Sequence, residues 1–593
     1  MFFKIYLGQY WFKGHPKGLY ALALSNTGER FGYYTMLAVF ALFLRENFGL
    51  EAGTAGAIYS TFLGLVYFMP LIGGVMADKF GFGKMVTIGI SIMFVGYMLL
   101  SFPLGGDMIA MIAMMAALLF ISLGTGLFKG NLQVMVGDLY NDPKYADKRD
   151  SGFSLFYMAI NVGSLFAPTT AVGIKNWAQN DLGYSSNDAY HFAFAVACVA
   201  LVVSIIIYYA FRSTFRHVEG GKKNGAAAAQ VNDTLTPAET KQRIVALCLV
   251  FAVVIFFWMA FHQNGLTLTY FADEFTNTTA FGFDTMLFDV WNLVMLIVAV
   301  YATFSIFQST SAKGKLTSGV LATGILAFLV YRAFGAEGTE LAVSAPIFQQ
   351  FNPFYVVALT PVSMAIFGSL AKSGKEPSAP RKIAYGMLVA AIGFAIMAVG
   401  SQGLNTPNDQ ARAIAVNKAE TIAKDMNNAA DDAALKAAEK AKSDFEGKLT
   451  KENKEVFETV YNASMVTMSA DSDQAQVAAA NAELEAIKAD TKEETRTSPY
   501  WLIFTYLILT FAELLLSPMG ISFVSKVAPP KLKGLMMGGW FVATAIGNML
   551  VAVGGFLWAG IPLWSVWAVF ISLCLLSALF MFIMMKRLES VTK

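Results

Sequence analysis

Charge is scarce in this sequence: Asp, Glu, Lys and Arg make up 14% of its 593 residues, against about a quarter in a soluble globular domain. So few charges cannot cover a water-facing surface for a chain of this length, and a soluble globular protein is excluded. Cysteine is scarcer still, with 3 in the whole chain. Cys198, Cys248 and Cys574 all fall in apolar runs, so no disulfide framework is expected. The 4 histidines are scattered at 15, 191, 217 and 262. None belongs to a His-Glu-x-x-His run, and no nucleophile with its base is evident, so the chain reads as neither an enzyme nor a metal or cofactor binder. A Gly-x-x-x-x-Gly-Lys-Ser/Thr loop is missing, which excludes transport driven by ATP. The net charge of +2 is too small to suggest nucleic acid as a partner. No short uncharged apolar core precedes a small-residue cleavage site, so no cleavable signal peptide is expected.

What fills the chain instead is apolar sequence, 56% of the residues, gathered into long runs. Fourteen of them, at 19–44, 54–77, 84–104, 108–137, 153–174, 190–211, 243–271, 286–308, 316–335, 346–371, 383–401, 500–524, 536–560 and 563–585, meet or approach the ~20 residues a helix needs to cross a bilayer. The chain therefore reads as an all-α polytopic membrane protein embedded in lipid. An even number of spans puts both termini on one side. The connections on that side hold the basic clusters, among them Lys144, Lys148 and Arg149, or Lys372, Lys375, Arg381 and Lys382. The opposite short connections offer Arg45, Lys175 and Arg332. Basic residues stay in the cytoplasm, so both termini are expected there, in a bacterial inner (plasma) membrane.

Two stretches break the apolar rhythm. Residues 212–242, with Gly220-Gly221-Lys222-Lys223-Asn224-Gly225 and an Ala run, read as a flexible cytoplasmic linker after an N-terminal six-helix bundle at 1–211. Residues 402–498 read as a soluble insert with 18 acidic and 12 basic residues, rich in Ala, Glu and Lys and so helical. By parity it is periplasmic or extracellular, where the charge rule does not bind a long segment. Its only aromatics are Phe445, Phe457 and Tyr461, which leaves a small helical bundle and partial disorder both open. The insert divides the C-terminal half into 243–401, containing two extra helices near 286–308 and 316–335, and 499–593.

The first span carries its own anomaly. Glu29 and Arg30 stand about a third of the way into it, where an ionisable residue costs roughly 2.5–3.5 kcal/mol and normally faces a polar interior. Asn26, Glu29, Arg30, Tyr33 and Leu37 share one helical stripe. A pair that snorkels to the nearer interface is the other reading of these charges. The loop after span two, Gly73-Gly74-Val75-Met76-Ala77-Asp78-Lys79-Phe80-Gly81-Phe82-Gly83-Lys84, combines glycines for a tight turn with Asp78 and Lys79 to cap or pair across helix ends. In span four Lys129 lies nine residues before Asp138, roughly 13 Å of helix, and wants a counter-charge. Glu513 in the span at 500–524 is a carboxylate in the same predicament. The two read as a functional pair or as independent groups at wet clefts.

The loop at 73–84 resembles that of the major facilitator superfamily. With Glu29-Arg30-Phe31-Gly32-Tyr33-Tyr34, Phe156-Tyr157-Met158-Ala159-Ile160-Asn161-Val162-Gly163 and Glu513-Leu514-Leu515-Leu516-Ser517-Pro518, the chain closely resembles the proton-coupled oligopeptide transporter (POT/PTR) family. Further matches are Phe257-Trp258 with Gln263, Asn352-Pro353 and Gly539-Trp540-Phe541; together they cover nearly all the membrane part and none of the insert. The resemblance implies two six-helix bundles rocking about a central site, the two extra helices being peripheral. It implies import of di- and tripeptides by symport with protons, the gradient serving in place of any cofactor. Arg30, Tyr33, Tyr34, Tyr67, Lys129, Asn161, Gln263, Asn352, Glu513, Ser517 and Trp540 would bind substrate. Glu29, Glu513 and His262 would carry protons, and Asp78 with Lys79 would gate the cytoplasmic face. In the empty carrier Lys129–Glu513 and Arg30–Glu29 would pair.

The departures are specific. The family's Glu-x-x-Glu-Arg motif has Asn26 at its first Glu, Leu37 stands where a basic residue is often found, Ser60 where animal relatives have His, and His262-Gln263 replaces Glu-Gln. Each of the site residues also has a plain packing role open to it: tyrosines at helical spacing pack, Asn161 and Asn352 can bond a neighbouring helix, and His262 can be a neutral imidazole satisfied by Gln263 or a carbonyl. Two alternatives to peptide symport follow, a carrier of this fold for a non-peptide solute such as an anion or amino-acid derivative, and a scaffold whose insert binds an extracytoplasmic partner. Replacing the insert by a short linker is expected to leave transport intact.

Overall fold

The computed structural model describes residues 14–220, 235–469, 472–529 and 532–591. The middle of the stretch expected to be a linker, with Lys222 and Lys223, lies outside them.

An N-terminal bundle is built from α1 (Lys17–Phe48), α2 (Ala52–Phe80), α3 (Phe82–Leu100), α4 (Met108–Asp138), α5 (Arg149–Asn180) and α6 (Ser186–Ala210). The apolar residues run all round these helices, as they must where lipid and protein together replace water. Some of the polar groups mark helix ends. Asp107 caps α4 by accepting from Ala110 N, and Ser185 caps α6 by accepting from Asp188 N. Gly81, at φ +95°, makes the turn between α2 and α3 that a residue with Cβ would strain. Small residues set the closest approaches: a Cβ on Gly32 would come within 3.1 Å of Ala197 Cα on α6, and one on Gly163 within 2.8 Å of the Thr27 carbonyl on α1.

The C-terminal bundle follows from α7 (Pro237–Phe261) and α8 (Thr267–Glu274), then α9 (Thr285–Phe288), α10 (Val290–Gln308), α11 (Ala312–Gly335), α12 (Phe351–Lys372) and α13 (Ala379–Gly400). Helix α7 opens with a capping box, Thr236 and Glu239 bonding each other's backbone N–H around Pro237. The run expected as one span at 243–271 is in fact broken: a 3-10 turn at His262–Gly265 separates α7 from α8. Helices α10 and α11 pair with each other beside α12, and only Ala322 and Leu329 of α11 are buried. A two-stranded antiparallel ribbon, β1 (Thr279–Phe281) with β2 (Glu340–Ala342), ties the base of that pair, Ala280 opposite Leu341.

The insert forms α14 (Pro407–Asn427), α15 (Asp432–Glu446), α16 (Lys451–Met468) and α17 (Gln474–Ala489). It has a core of its own, Ala415, Val416, Ala419, Ile422 and Ala423 against Phe457, Val460 and Tyr461. The chain then returns through α18 (Tyr500–Val527), α19 (Lys533–Met549), α20 (Ala552–Trp558) and α21 (Leu563–Ser590). The expected span at 536–560 is likewise broken, between α19 and α20. Among the described residues thirteen helices are long and apolar enough to cross a membrane. Helix α1, 32 residues long, is not among them; it holds Ser25, Asn26, Glu29 and Arg30 in its first half and Arg45 and Glu46 in its last turn.

The insert is docked on both bundles. Toward the N-terminal one, Asp444 accepts from Ser186 N at 2.9 Å and from Gln179 Nε2 at 3.2 Å, Lys440 donates to the Gln179 carbonyl at 2.7 Å, and Lys448 pairs with Glu46 at 3.1 Å. Burial works against the Lys448 charge, but Glu46 and Asp273 outweigh it and hold the ammonium above the usual lysine value. Toward the C-terminal bundle, Gln410 donates to the Glu274 carbonyl at 2.9 Å and Arg496 to that of Thr276 at 2.8 Å.

Candidate functional site

Between the bundles the expected polar residues gather from both sides. On α1, Arg30 grips Glu29 with two bonds, Nε to Oε2 and Nη2 to Oε1, each 2.5 Å. The carboxylate side chain is 0% exposed and the guanidinium side chain 3%, so the fork is a desolvated pair, not one that snorkels to an interface. Arg30 also lies over the Tyr33 ring, 4.6 Å from its centroid, and Tyr33 meets Tyr34 edge to face at 5.2 Å. One turn before, the Asn26 amide Nδ2 is buried without a hydrogen-bond acceptor.

Lys129 and Glu513 are not paired with each other. The Lys129 ammonium sits 4.0 Å over the ring of Tyr67 on α2, a cation–π contact in place of a carboxylate. Glu513, on α18 just above the internal Pro518, accepts from Asn352 Nδ2 at 3.0 Å and Tyr157 OH at 3.4 Å. The expectation of a Lys129–Glu513 bridge is therefore corrected. A neutral donor on α12 and a phenol on α5 already occupy the carboxylate, and Tyr67 holds the amine on the other bundle. Tyr157 joins the site across the bundle interface and is 46% exposed.

Several expected site residues are turned to structure instead. Gln263, 0% exposed, donates to the carbonyls of Met259 and Val551 at 3.1 Å each and accepts from Thr267 at 2.9 Å. Those carbonyls belong to the two helix breaks, so Gln263 satisfies backbone groups that the broken α7–α8 and α19–α20 ladders release. It has no polar atom left for a substrate. Trp540 is 3% exposed and its ring fills the space a side chain on Gly520 would need, locking α19 against α18. Asn161 donates to the Tyr157 carbonyl of its own helix at 3.1 Å. Ser517 lies one turn beyond Glu513 and half-buried. His262 stacks on Trp258 at 5.1 Å, with Tyr67 at 6.1 Å, and its Nδ1 has no partner. Asp78 and Lys79 are exposed at the end of α2 that faces the terminal side.

A second layer, closer to the insert, was not anticipated. Arg45 at the end of α1 pairs with Glu274 at the end of α8 and lies 4.6 Å over the Tyr270 ring, and Glu274 also accepts from Trp558 Nε1 at 3.0 Å. Gln349 donates to the Ala38 carbonyl at 3.0 Å, and Thr169 to Gln350 at 2.8 Å. Each of these bonds but the Trp558 one joins the N-terminal bundle to the C-terminal one. Together they shut the cleft on the insert side. The sequence offered one signal for it: Arg45 and Glu274 are opposite charges at the same end of spans one and seven.

Comparison with known proteins identifies the fold and family in which these residues are set. The model of the POT family matches residues 83–236, 332–423 and 463–556, including, against expectation, stretches at both ends of the insert. Among curated proteins the chain is 27% identical over 580 residues to the uncharacterized transporter YclF of Bacillus subtilis, covering 93% of this chain and 90% of that one. It is 26% identical to the peptide transporter YePEPT of Yersinia enterocolitica, over 92% and 88% of the two chains. Among solved structures, a peptide transporter POT in complex with sulfate superposes with a TM-score of 0.63 at 21% identity, over 98% of this chain and 96% of that one. A POT family transporter in complex with 5-aminolevulinic acid gives 0.63 at 18%, over 100% and 99%. These two establish a common two-bundle fold of the major-facilitator type. The arginine-gripped Glu29, the amine on Tyr67 and the carboxylate on Asn352 are thus set in the frame of a membrane transporter, and the chain belongs to the POT family.

Proposed function

We propose that this protein is a proton-coupled symporter that imports di- and tripeptides by alternating access, with both termini cytoplasmic and the insert outside. The observation that supports it most is the separation of Lys129 from Glu513. They lie on opposite bundles, and neither has an ionic partner among the described residues. A zwitterionic peptide supplies what both lack: its carboxylate would take Lys129 from the Tyr67 ring, and its ammonium would take Glu513. Arg30 is held by Glu29, which serves as a switchable counter-ion that Arg30 exchanges for a substrate carboxylate. With Asn26 unable to titrate, Glu513 is the proton carrier, and His262 tunes the pH dependence. Leu37 and Asn26 keep a second substrate class in view, since neither adds a charge for a peptide terminus.

Lys129→Ala and Glu513→Gln are each expected to abolish accumulation of labelled dipeptide in proteoliposomes with an inward proton gradient. Glu513→Gln should retain counterflow better than accumulation, because exchange needs no net proton movement. Normal accumulation by either well-expressed variant defeats the assignment. Competition by amino-acid derivatives but not by dipeptides would select the non-peptide reading.

A further inference from the structure

Away from the central site, on the insert side and flanking the Arg45–Glu274 contact, lies a cavity of about 360 Å³. Its wall is shared by three parts of the molecule. The N-terminal bundle gives Glu46 and Lys175, the C-terminal bundle gives Asp273, and the insert gives Lys448. The charges divide unevenly within it. Glu46 is shared by two ammonium groups, Lys448 at 3.1 Å and Lys175 at 3.7 Å, and Lys175 also rests 3.6 Å from the Tyr190 ring centroid. One positive charge is therefore in surplus at that end. Asp273 is exposed to the space, while its neighbour Glu274 turns to Arg45 and Trp558. Among the described residues Asp273 has no ion pair and no hydrogen bond to its carboxylate.

A space of this size with convergent polar groups is typical of a small-molecule site, for which cavities run from about 300 Å³ upward. A surplus cation facing a lone carboxylate rejects a simple anion at one end and a simple cation at the other. We infer that the cavity is a second binding site, for a small zwitterion of amino-acid or dipeptide size. Its ammonium pairs with Asp273 and its carboxylate with Lys175 and Lys448. The apolar wall at Val39, Leu42 and Val172 receives the side chain. Because the insert contributes Lys448, the site is complete only while the insert is docked. It is a waiting position in front of the closed mouth. The choice of a dipeptide as ligand rests on the function proposed above; the charge geometry does not.

The test uses the full chain in nanodiscs, in a Lys129→Ala/Glu513→Gln background that removes the central site. Ser344, in the cavity wall, is changed to Cys, with Thr279→Cys as the second reporter should the first misfold, and its maleimide labelling is followed by mass spectrometry. Dialanine should slow labelling by the factor 1 + [L]/Kd, about tenfold at ten times the midpoint concentration. N-acetyl-dialanine amide, with neither charge, should not. Asp273→Asn should remove the protection, as should Lys175→Gln. No protection by dialanine, or protection that survives Asp273→Asn and Lys175→Gln, overturns the site. If dialanine is still accumulated by the wild type in that case, the peptide reading stands without it. Protection in a protein whose wild type accumulates no peptide would keep the site and remove the transport reading.

Discussion

If the Arg45–Glu274 pair, with Glu274 braced by Trp558 of its own bundle, holds the insert side shut, removing one charge should open it by a calculable amount. The Glu274 side chain is 8% exposed and that of Arg45 25%, which places the pair between two regimes. A surface pair contributes about 0.2–1 kcal/mol, and breaking a fully buried one costs about 3–5 kcal/mol. A charged hydrogen bond in between is worth about 1.5–3 kcal/mol. Taking about 2 kcal/mol for Glu274→Gln, and one tenfold change for each 1.4 kcal/mol, the open-to-closed ratio rises roughly thirtyfold. The reporter is Ala38→Cys, because Ala38 is 1% exposed and its carbonyl accepts from Gln349 across the same mouth. A membrane-impermeant maleimide added from the insert side should then label it roughly thirtyfold faster in Glu274→Gln, as the rate follows the open population. In the double variant Arg45→Gln/Glu274→Gln no charge is stranded, so the acceleration should be smaller than the sum of the single effects. Labelling unchanged within about 1.4-fold in a well-folded Glu274→Gln, the smallest change expected even of a surface pair at about 0.2 kcal/mol, would refute the latch.

His262→Gln should displace the pH profile of uptake and still accumulate substrate; lost accumulation, with Glu513→Gln unaffected, would reverse the two roles. Phe457 is 0% exposed at the centre of the insert core, so Phe457→Ala should cost about 3–5 kcal/mol, read as rapid proteolysis within 402–498 of a chain that stays in the membrane. Replacing 404–497 by a Gly/Ser linker should leave uptake measurable but accelerate labelling at Ala38→Cys, since the bonds of Gln410, Asp444 and Lys448 go with it. Loss of uptake in an inserted protein would make the segment part of the mechanism.

The membrane spans were legible because lipid leaves a helix no alternative, and hydropathy over twenty residues reads that constraint directly. The placement of Glu29, Arg30, Lys129 and Glu513 near the cleft was legible for the converse reason, that a charge in such a helix must face something polar. The Arg30–Glu29 pair was expected and is present; what the chain could not disclose was the partner of Lys129 and of Glu513. Glu29 and Arg30 are adjacent, a spacing at which helical side chains do not normally face each other, yet two long side chains bend to meet. Gln263 stood in a motif and so read as a ligand group. Its acceptor, the Val551 carbonyl, exists only because α19 and α20 break there, a tertiary event with no local sign. The first break falls on the polar run His262-Gln263-Asn264-Gly265, which the apolar residues on either side masked, and the second at Leu550–Val551, two residues after Asn548. The insert's docking was invisible because Lys448 and Glu46, or Asp444 and Ser186, are hundreds of residues apart and each reads alone as a solvated charge.

The docked insert gives the carrier a handle in water. Its helix α15 and the loop to Lys448 bond the N-terminal bundle, while Gln410 and Arg496 bond the other, so any movement that parts the bundles on this side must peel one edge of the insert away. An antibody fragment or small binder that recognises α15 together with the exposed end of α5 or α6 would therefore arrest the cycle from outside the membrane. It would act without entering the cleft and without competing with solute. The same geometry makes the insert a natural place to put a donor and acceptor pair, so that one dye on α15 and one beside Ser186 would report each turnover as a change in distance.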